Sequence, residues 1–263
     1  MSRFRADSDV GRLNASAGEW VVVFPETADV LDASLRWSIA SRGRFDPCLG
    51  RTAALWDGVP TGASFPSVPG SGVEPEPLRP VWAGDLRAPV EVRRGGGAAE
   101  ARVTVEDAAV DLGGIAKGFA VDQAAEALRP AGVPSGLINV GGDLVALGRA
   151  PDGGAWLVGV QDPDDPGALA ATVDVADEAI ATSGDYVRWF ERDGRRYHHL
   201  IDPNTGEPRL TRTRSLTVRS DRCMHADAAA TALFGARADV MDMIAARAPG
   251  GVRVLHEIQE ETT

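Results

Sequence analysis

Basic residues, cysteines and long apolar runs are all scarce in this chain, and each scarcity closes off a class of function. Lysine and arginine number 27 against 38 aspartates and glutamates, a formal charge of −11. Such a chain has no generic attraction for a phosphate backbone or an anionic membrane surface. Nucleic acid is therefore not expected as a partner, and any anionic ligand must be held locally, by backbone amides, a metal ion or a few basic side chains. Cys48 and Cys223 form no CxxC pair, which argues against a cysteine-built zinc site; two free structural thiols are expected. Even the longest aliphatic runs are short, as in Val21-Val22-Val23, far below the ~20 residues that span a bilayer. The polar start, Met1 to Ser8, has no apolar core of a secretion signal, so a cytoplasmic placement is expected for the sequence as it stands.

What is present is an ordinary globular composition, 44% hydrophobic and 25% charged. This excludes wholesale disorder and a coiled coil, and the 30 glycines follow no period of three, which excludes collagen. Residues 263 in number fit about two domains or one large α/β or α+β domain; a single domain over 1–263 is expected. Val30, Leu31, Ser34, Leu35 and Ile39 fall at helical spacing, and Gly43 to Pro47 ends that helix. Residues 57–100 crowd seven prolines with glycines, which forbids a long helix and predicts a surface excursion with one or two edge strands. From 101 the pattern is regular. A strand is expected over Arg102–Val105, a helix after Gly118, a buried strand over Leu137–Val140 and its hairpin partner over Leu144–Leu147. Further strands are expected at Trp156–Val160 and Leu216–Val218, and helices at Ala226–Phe234 and Val240–Arg247. Interleaved strands and helices with hairpins predict an α+β fold whose sheet is largely antiparallel.

Three stretches could carry chemistry. In Asp111-Leu112-Gly113-Gly114-Ile115-Ala116-Lys117-Gly118, adjacent glycines admit a ligand close to the backbone and a helix follows whose N–H groups favour an anion. It is neither a Walker A loop nor a GxGxxG fingerprint, and a tight strand-to-helix turn without a ligand fits as well. In His225 to Leu233, Asp227 and Thr231 stand four apart on one helix face amid small apolar residues. A carboxylate and a hydroxyl one turn apart suit Mg²⁺; the alternative is that Asp227 caps its own helix and Thr231 bonds its own backbone. In Tyr197 to Gly206, His198 and His199 precede the turn Asp202-Pro203-Asn204-Thr205-Gly206 on a strand, so at most one faces a given pocket. Thr182-Ser183-Gly184 lacks the GxSxG elbow of a serine hydrolase.

Taken in order, DLGGIAKGFAVD, NVGGD, AIATSGDY, HHLIDPNTG and ADAAATAL resemble the successive motifs of the ApbE family, the FAD:protein FMN transferases. Ser2-Arg3-Phe4 with Asp7 to Asn14, and Gly43 to Pro47 through Leu55-Trp56, are similar to the family's early segments. The resemblance implies an α+β fold related to the T-fold. It implies transfer of FMN from FAD to a threonine or serine hydroxyl of a target flavoprotein, with release of AMP and dependence on Mg²⁺. Some members instead hydrolyse FAD, so an Mg²⁺-dependent FAD pyrophosphatase stays open, as does a non-catalytic FAD-binding module. Residue by residue, Asp227, Thr231 and the backbone oxygen of Gly114 match the metal ligands, and Asp227 and His199 match the catalytic positions. Asp111, Lys117, His199, Ile201, Phe4, Phe45 and Asp46 match positions that contact FAD. The family normally carries a further strand and helix ahead of the SxF segment, and the chain is expected to lack them.

Overall fold

The computed structural model describes residues 1–56, 64–65, 89–106, 108–192 and 195–260. Most of the proline-rich excursion, 57–63 and 66–88, lies outside the described residues. The chain divides into two compact units, one of Met1–Leu112 with Val187–Leu210 and one of Gly113–Tyr186 with Thr211–Thr263.

The first unit opens with helix α1 (Asp9–Ala15), strand β1 (Val21–Val23), helices α2 (Pro25–Ala40) and α3 (Gly50–Leu55), and strands β2 (Ser64–Phe65), β3 (Val90–Gly95) and β4 (Ala98–Val103). Ser8 caps α1 by accepting from the Gly11 N–H. Buried Asp9 accepts from the Phe24 N–H at 2.8 Å and from the Thr27 hydroxyl at 2.7 Å, so it fixes the start of α2, where Pro25 supplies a pre-set φ. The buried face of α2 runs through Val30, Leu31, Ser34, Trp37 and Ser38, and Ile39 is 70% exposed. The expected face is thus rotated, because Trp37, which the spacing argument left out, buries the largest side chain. α2 packs on the antiparallel sheet β1-β4-β3. Within the expected excursion, β3 is an edge strand and β4 the centre of that sheet. β4 ends at Val103, two residues earlier than expected.

The second unit holds α4 (Ala116–Leu128), β5 (Gly136–Val140), β6 (Asp143–Leu147), β7 (Trp156–Gln161), β8 (Leu169–Val175) and β9 (Ala179–Gly184). The chain then returns to the first unit for the hairpin β10 (Trp189–Arg192) and β11 (Arg195–His198). Here Trp56, Phe190 and Tyr197 stack with ring centres 5.3–6.2 Å apart. It ends in the second unit with β12 (Thr213–Ser220), α5 (Cys223–Leu233), α6 (Ala238–Ala245) and β13 (Arg253–Gln259). The main sheet has the order β13-β12-β9-β6-β5, antiparallel throughout.

Among the described residues only β2 and β10 pair in parallel as strands, so the α+β architecture with a largely antiparallel sheet holds. β6 is buried along its whole length. Its Leu144 and Ala146 pack with Val175 and Ile180 and against Trp156 and Val158. α4 lies on β5 and β6, and α5 on β6, β9 and β12. The small side chains of α5, Ala226, Ala228, Ala229, Ala230 and Ala232, are all buried and let the helix sit close. β5 is not the buried strand expected. It is an edge, with Leu137 42% and Val140 47% exposed. No helix among the described residues is long and apolar enough to cross a membrane.

Candidate functional site

The glycine-rich turn delivers its lysine one residue into α4, since the helix begins at Ala116 and takes in Lys117 and Gly118 rather than following them. Lys117 is the only lysine of the chain. Its Nζ lies 2.5 Å from Oδ2 of Asp143 and 2.9 Å from Oδ1 of Asp227. Asp143 heads β6 because Gly141 and Gly142, with φ of 62° and 96°, close a two-residue hairpin turn from Val140. Asp227 belongs to α5, which begins at Cys223, three residues earlier than expected. It sits a turn inside that helix and does not cap it. Instead its Oδ2 accepts from the Gly118 N–H at 3.1 Å, at the start of α4.

Both carboxylates are buried, 1% and 3% exposed. Burial, then the negative charge of Asp227, push the Asp143 carboxyl up to about 7 despite Lys117. Burial works against the Lys117 ammonium, but Asp227 and Asp143 outweigh it and its net shift is upward. Two buried acids therefore share one ammonium, whose own side chain is about half exposed.

The donor chemistry here fits a hard divalent ion. Asp227 and Thr231 lie one turn apart on α5, and Gly114 stands in the turn just ahead of α4. Carboxylate, hydroxyl and carbonyl oxygens are the ligands Mg²⁺ takes, with one or two carboxylates and the remaining positions left to water and phosphate. The two carboxylates already hold one cation, the Lys117 ammonium. Among the described residues no group of three or more His, Cys, Asp or Glu could hold a metal ion.

The other site candidates lie in the first unit. Asp111 donates its N–H to the Pro47 carbonyl at 2.8 Å, and its carboxylate meets the Arg3 Nε at 2.7 Å. Arg3 in turn lies 4.2 Å from the centre of the Phe4 ring, which is 70% exposed. Phe45 and Asp46 are buried, and Asp46 Oδ1 accepts from the Cys48 N–H at 2.8 Å. Ile201 is buried, and its carbonyl accepts from Nε of Arg209 at 3.2 Å, while Nη2 of the same arginine reaches the Arg44 carbonyl at 2.5 Å. Arg209 thereby ties the turn after His199 to the segment bearing Phe45.

His198 ends β11 and is buried, whereas His199 lies just past the strand and is half-buried. The His198 Nδ1 accepts from the Leu200 N–H at 3.2 Å. Burial, then Arg209, hold it down to about 4, a neutral structural imidazole. His199, just past β11, has Nδ1 3.4 Å from the Arg188 carbonyl; a proton on Nδ1 leaves the ring's lone pair on Nε2. Asp143 and Arg209 join the site residues here: Asp143 ends the NVGGD motif, which is a sequence signal, while Arg209 carries no motif of its own. Both thiols are buried and unpaired, as expected.

A model of the ApbE family matches residues 1–256. The FAD:protein FMN transferase of Treponema pallidum (strain Nichols) is 36% identical over 247 residues, covering 89% of this chain and 66% of that protein. The Vibrio cholerae protein of the same name is 33% identical over 236 residues, 89% and 68% of the two chains. The chain thus spans about two thirds of the length of these relatives. Among solved structures, the ApbE protein of Thermotoga maritima superposes with a TM-score of 0.78 at 28% identity, over 99% of this chain and 84% of that one. The flavinyl transferase ApbE of Pseudomonas stutzeri, in its apo form, gives 0.72 at 28% identity over 100% and 78%. With the sequence motifs, the α+β fold and a match that runs nearly end to end, the chain belongs to the ApbE family.

Proposed function

We propose that the protein transfers FMN from FAD to a threonine or serine hydroxyl of a target flavoprotein, releasing AMP, with Mg²⁺ held by Asp227, Thr231 and the Gly114 carbonyl. The observation that carries this reading is the buried Asp143–Asp227 pair closed on Lys117 at the head of α4. An acidic protein that must hold a diphosphate needs local positive charge; Lys117, the one lysine of the chain, supplies an ammonium here, and a divalent cation at Asp227 would add to it.

When bound, Mg²⁺ would neutralise the diphosphate and polarise its oxygens. Lys117 adds an ammonium at the same place. The transfer breaks the P–O bond to AMP and forms a P–O bond from the FMN phosphorus to the acceptor oxygen. The hydroxyl proton must leave as that bond forms, and Nε2 of His199, with the lone pair, suits its removal. Phe4, Phe45, Asp46, Asp111 and Ile201 are assigned to the flavin and adenine parts of FAD. Arg209 holds the turn that carries Ile201.

The test is to mix the protein with FAD and Mg²⁺, with and without a domain bearing an acceptor threonine, and to weigh the products by mass spectrometry. The expected result is an acceptor heavier by one FMN, lost in Asp227→Ala. Release of FMN and AMP without acceptor labelling would assign a pyrophosphatase instead, and intact FAD in both mixtures would leave only FAD binding.

A further inference from the structure

Helices α4 and α5 begin against each other, and neither supplies its own cap. The residues ahead of them, Ile115 and Arg222, make no side-chain cap hydrogen bond. First-turn N–H groups have no partner within a helix and need one from outside. Each helix receives it from a carboxylate on the other. Asp122 of α4 accepts from the N–H groups of Cys223 at 2.8 Å and Met224 at 3.0 Å. Asp227 of α5 accepts from the Gly118 N–H at 3.1 Å. Gly118 and Asp122 are four residues apart on α4, as Cys223 and Asp227 are on α5, so the exchange is reciprocal. Between the two pairs the backbones nearly touch: a Cβ on Gly118 would lie 2.2 Å from the Cys223 carbonyl oxygen.

A serine, threonine, aspartate or asparagine at 222 would cap α5 by itself. Arg222 stands there instead, 3.3 Å from Oδ2 of Asp122 through its Nε. The cap comes from a buried side chain, 6% exposed, whose place on α4 is fixed relative to Lys117 and Gly118. We propose that Asp122 is a positioning residue for Asp227: it pins the start of α5 to the start of α4 and so sets the reach of the Asp227 carboxylate to Lys117 and to the Gly118 N–H. One half of this role, the holding of a metal ligand, rests on the metal reading given above; the other half, the seat of Lys117, does not.

Asp122→Asn keeps the volume and one acceptor and loses the other. Two readouts on the folded variant test the role. Mn²⁺ binding, followed by electron paramagnetic resonance as a stand-in for Mg²⁺, should weaken by about tenfold or more, the usual cost of losing an outer support of a metal ligand. Labelling of Lys117 by an N-hydroxysuccinimide ester in metal-free protein, read by peptide mass spectrometry, should become several-fold faster. Arg222→Ala, which leaves both N–H bonds in place, should match the wild type in both. An Asp122 that serves stability alone would lower the melting temperature and leave both readouts at wild-type values, and that result overturns the proposal. If Asp122→Asn fails to fold, Asp122→Glu, with the same charge one methylene farther out, carries the same comparison. Asp227→Ala separates the two layers: if it binds Mn²⁺ like the wild type, the metal reading falls, and the labelling rate alone decides for or against Asp122.

Discussion

Gly118→Ala is the smallest change that strikes the geometry of the site without touching a charged group. The added Cβ would stand 2.2 Å from the carbonyl oxygen of Cys223, 2.5 Å from its carbon and 2.7 Å from the Met224 nitrogen. All three are backbone atoms at the start of a helix and cannot swing aside. Ordinary contact therefore requires the two helix starts to part by about 1 Å. Such a movement stretches the 2.8 Å bond from Cys223 to Asp122 and the 3.1 Å bond from Gly118 to Asp227 beyond hydrogen-bonding distance. Overpacking costs about 1–3 kcal/mol, and each lost bond about 1 kcal/mol. The better helix propensity of alanine returns about 1 kcal/mol. The net loss is roughly 2–4 kcal/mol, which for a chain of this length lowers the melting temperature by about 4–8 °C. Scanning calorimetry reads it. Flavin transfer should fall more steeply, by about a hundredfold, because an error of about 1 Å in a positioned group has that effect. A melting temperature that rises, as propensity alone dictates for an open helix position, together with wild-type transfer, would refute the close approach and the positioning built on it.

Other outcomes follow from the same geometry. His198 is neutral in the fold, held to about 4 where its ordinary value is 6.5, while the unfolded chain takes up the proton below 6.5. The unfolded state then binds more protons in that window, so stability falls as the pH drops from 6.5 towards 4, by up to about 3 kcal/mol. Urea melts across this range should slope more steeply for the wild type than for His198→Gln, and equal slopes would contradict the buried neutral ring. Lys117 is the single ε-amine, so an amine-directed ester should label one lysine slowly, and faster in Asp143→Asn; an unchanged rate would mean that the pair does not hold the ammonium. Arg209→Lys replaces a fork that reaches two carbonyls by a point charge. It should cost about 2–3 kcal/mol and quicken amide hydrogen exchange over residues 199–208, and unchanged exchange there would sink the tie between Ile201 and Arg44.

Much of this was legible in the sequence, for physical reasons that differ from one element to the next. The hairpin of β5 and β6 was readable because two adjacent glycines between apolar runs fix a turn type locally. The α5 pair Asp227 and Thr231 was readable because helical spacing puts them on one face regardless of what the helix meets. The burial of β5 was not readable: an apolar stretch at the edge of a sheet looks like one at its centre until the strand order is known. The rotation of α2 came from Trp37, whose bulk decides the buried face only once a sheet lies against it. The start of α4 was misjudged because the glycines that mark a turn also admit the helix's first residues. Asp122 and Asp143 find their partners 101 and 84 residues away, in Cys223 and Asp227, and no local pattern announces such pairs.

The most direct test of the proposed metal centre is anomalous scattering from crystals grown with Mn²⁺ and FAD. The expected result is one strong peak about 2 Å from an Asp227 carboxylate oxygen, the Thr231 hydroxyl and the Gly114 carbonyl, with Lys117 turned towards the phosphates. A peak elsewhere in the chain, with Lys117 still closed on Asp143 and Asp227 beside bound FAD, would contradict it.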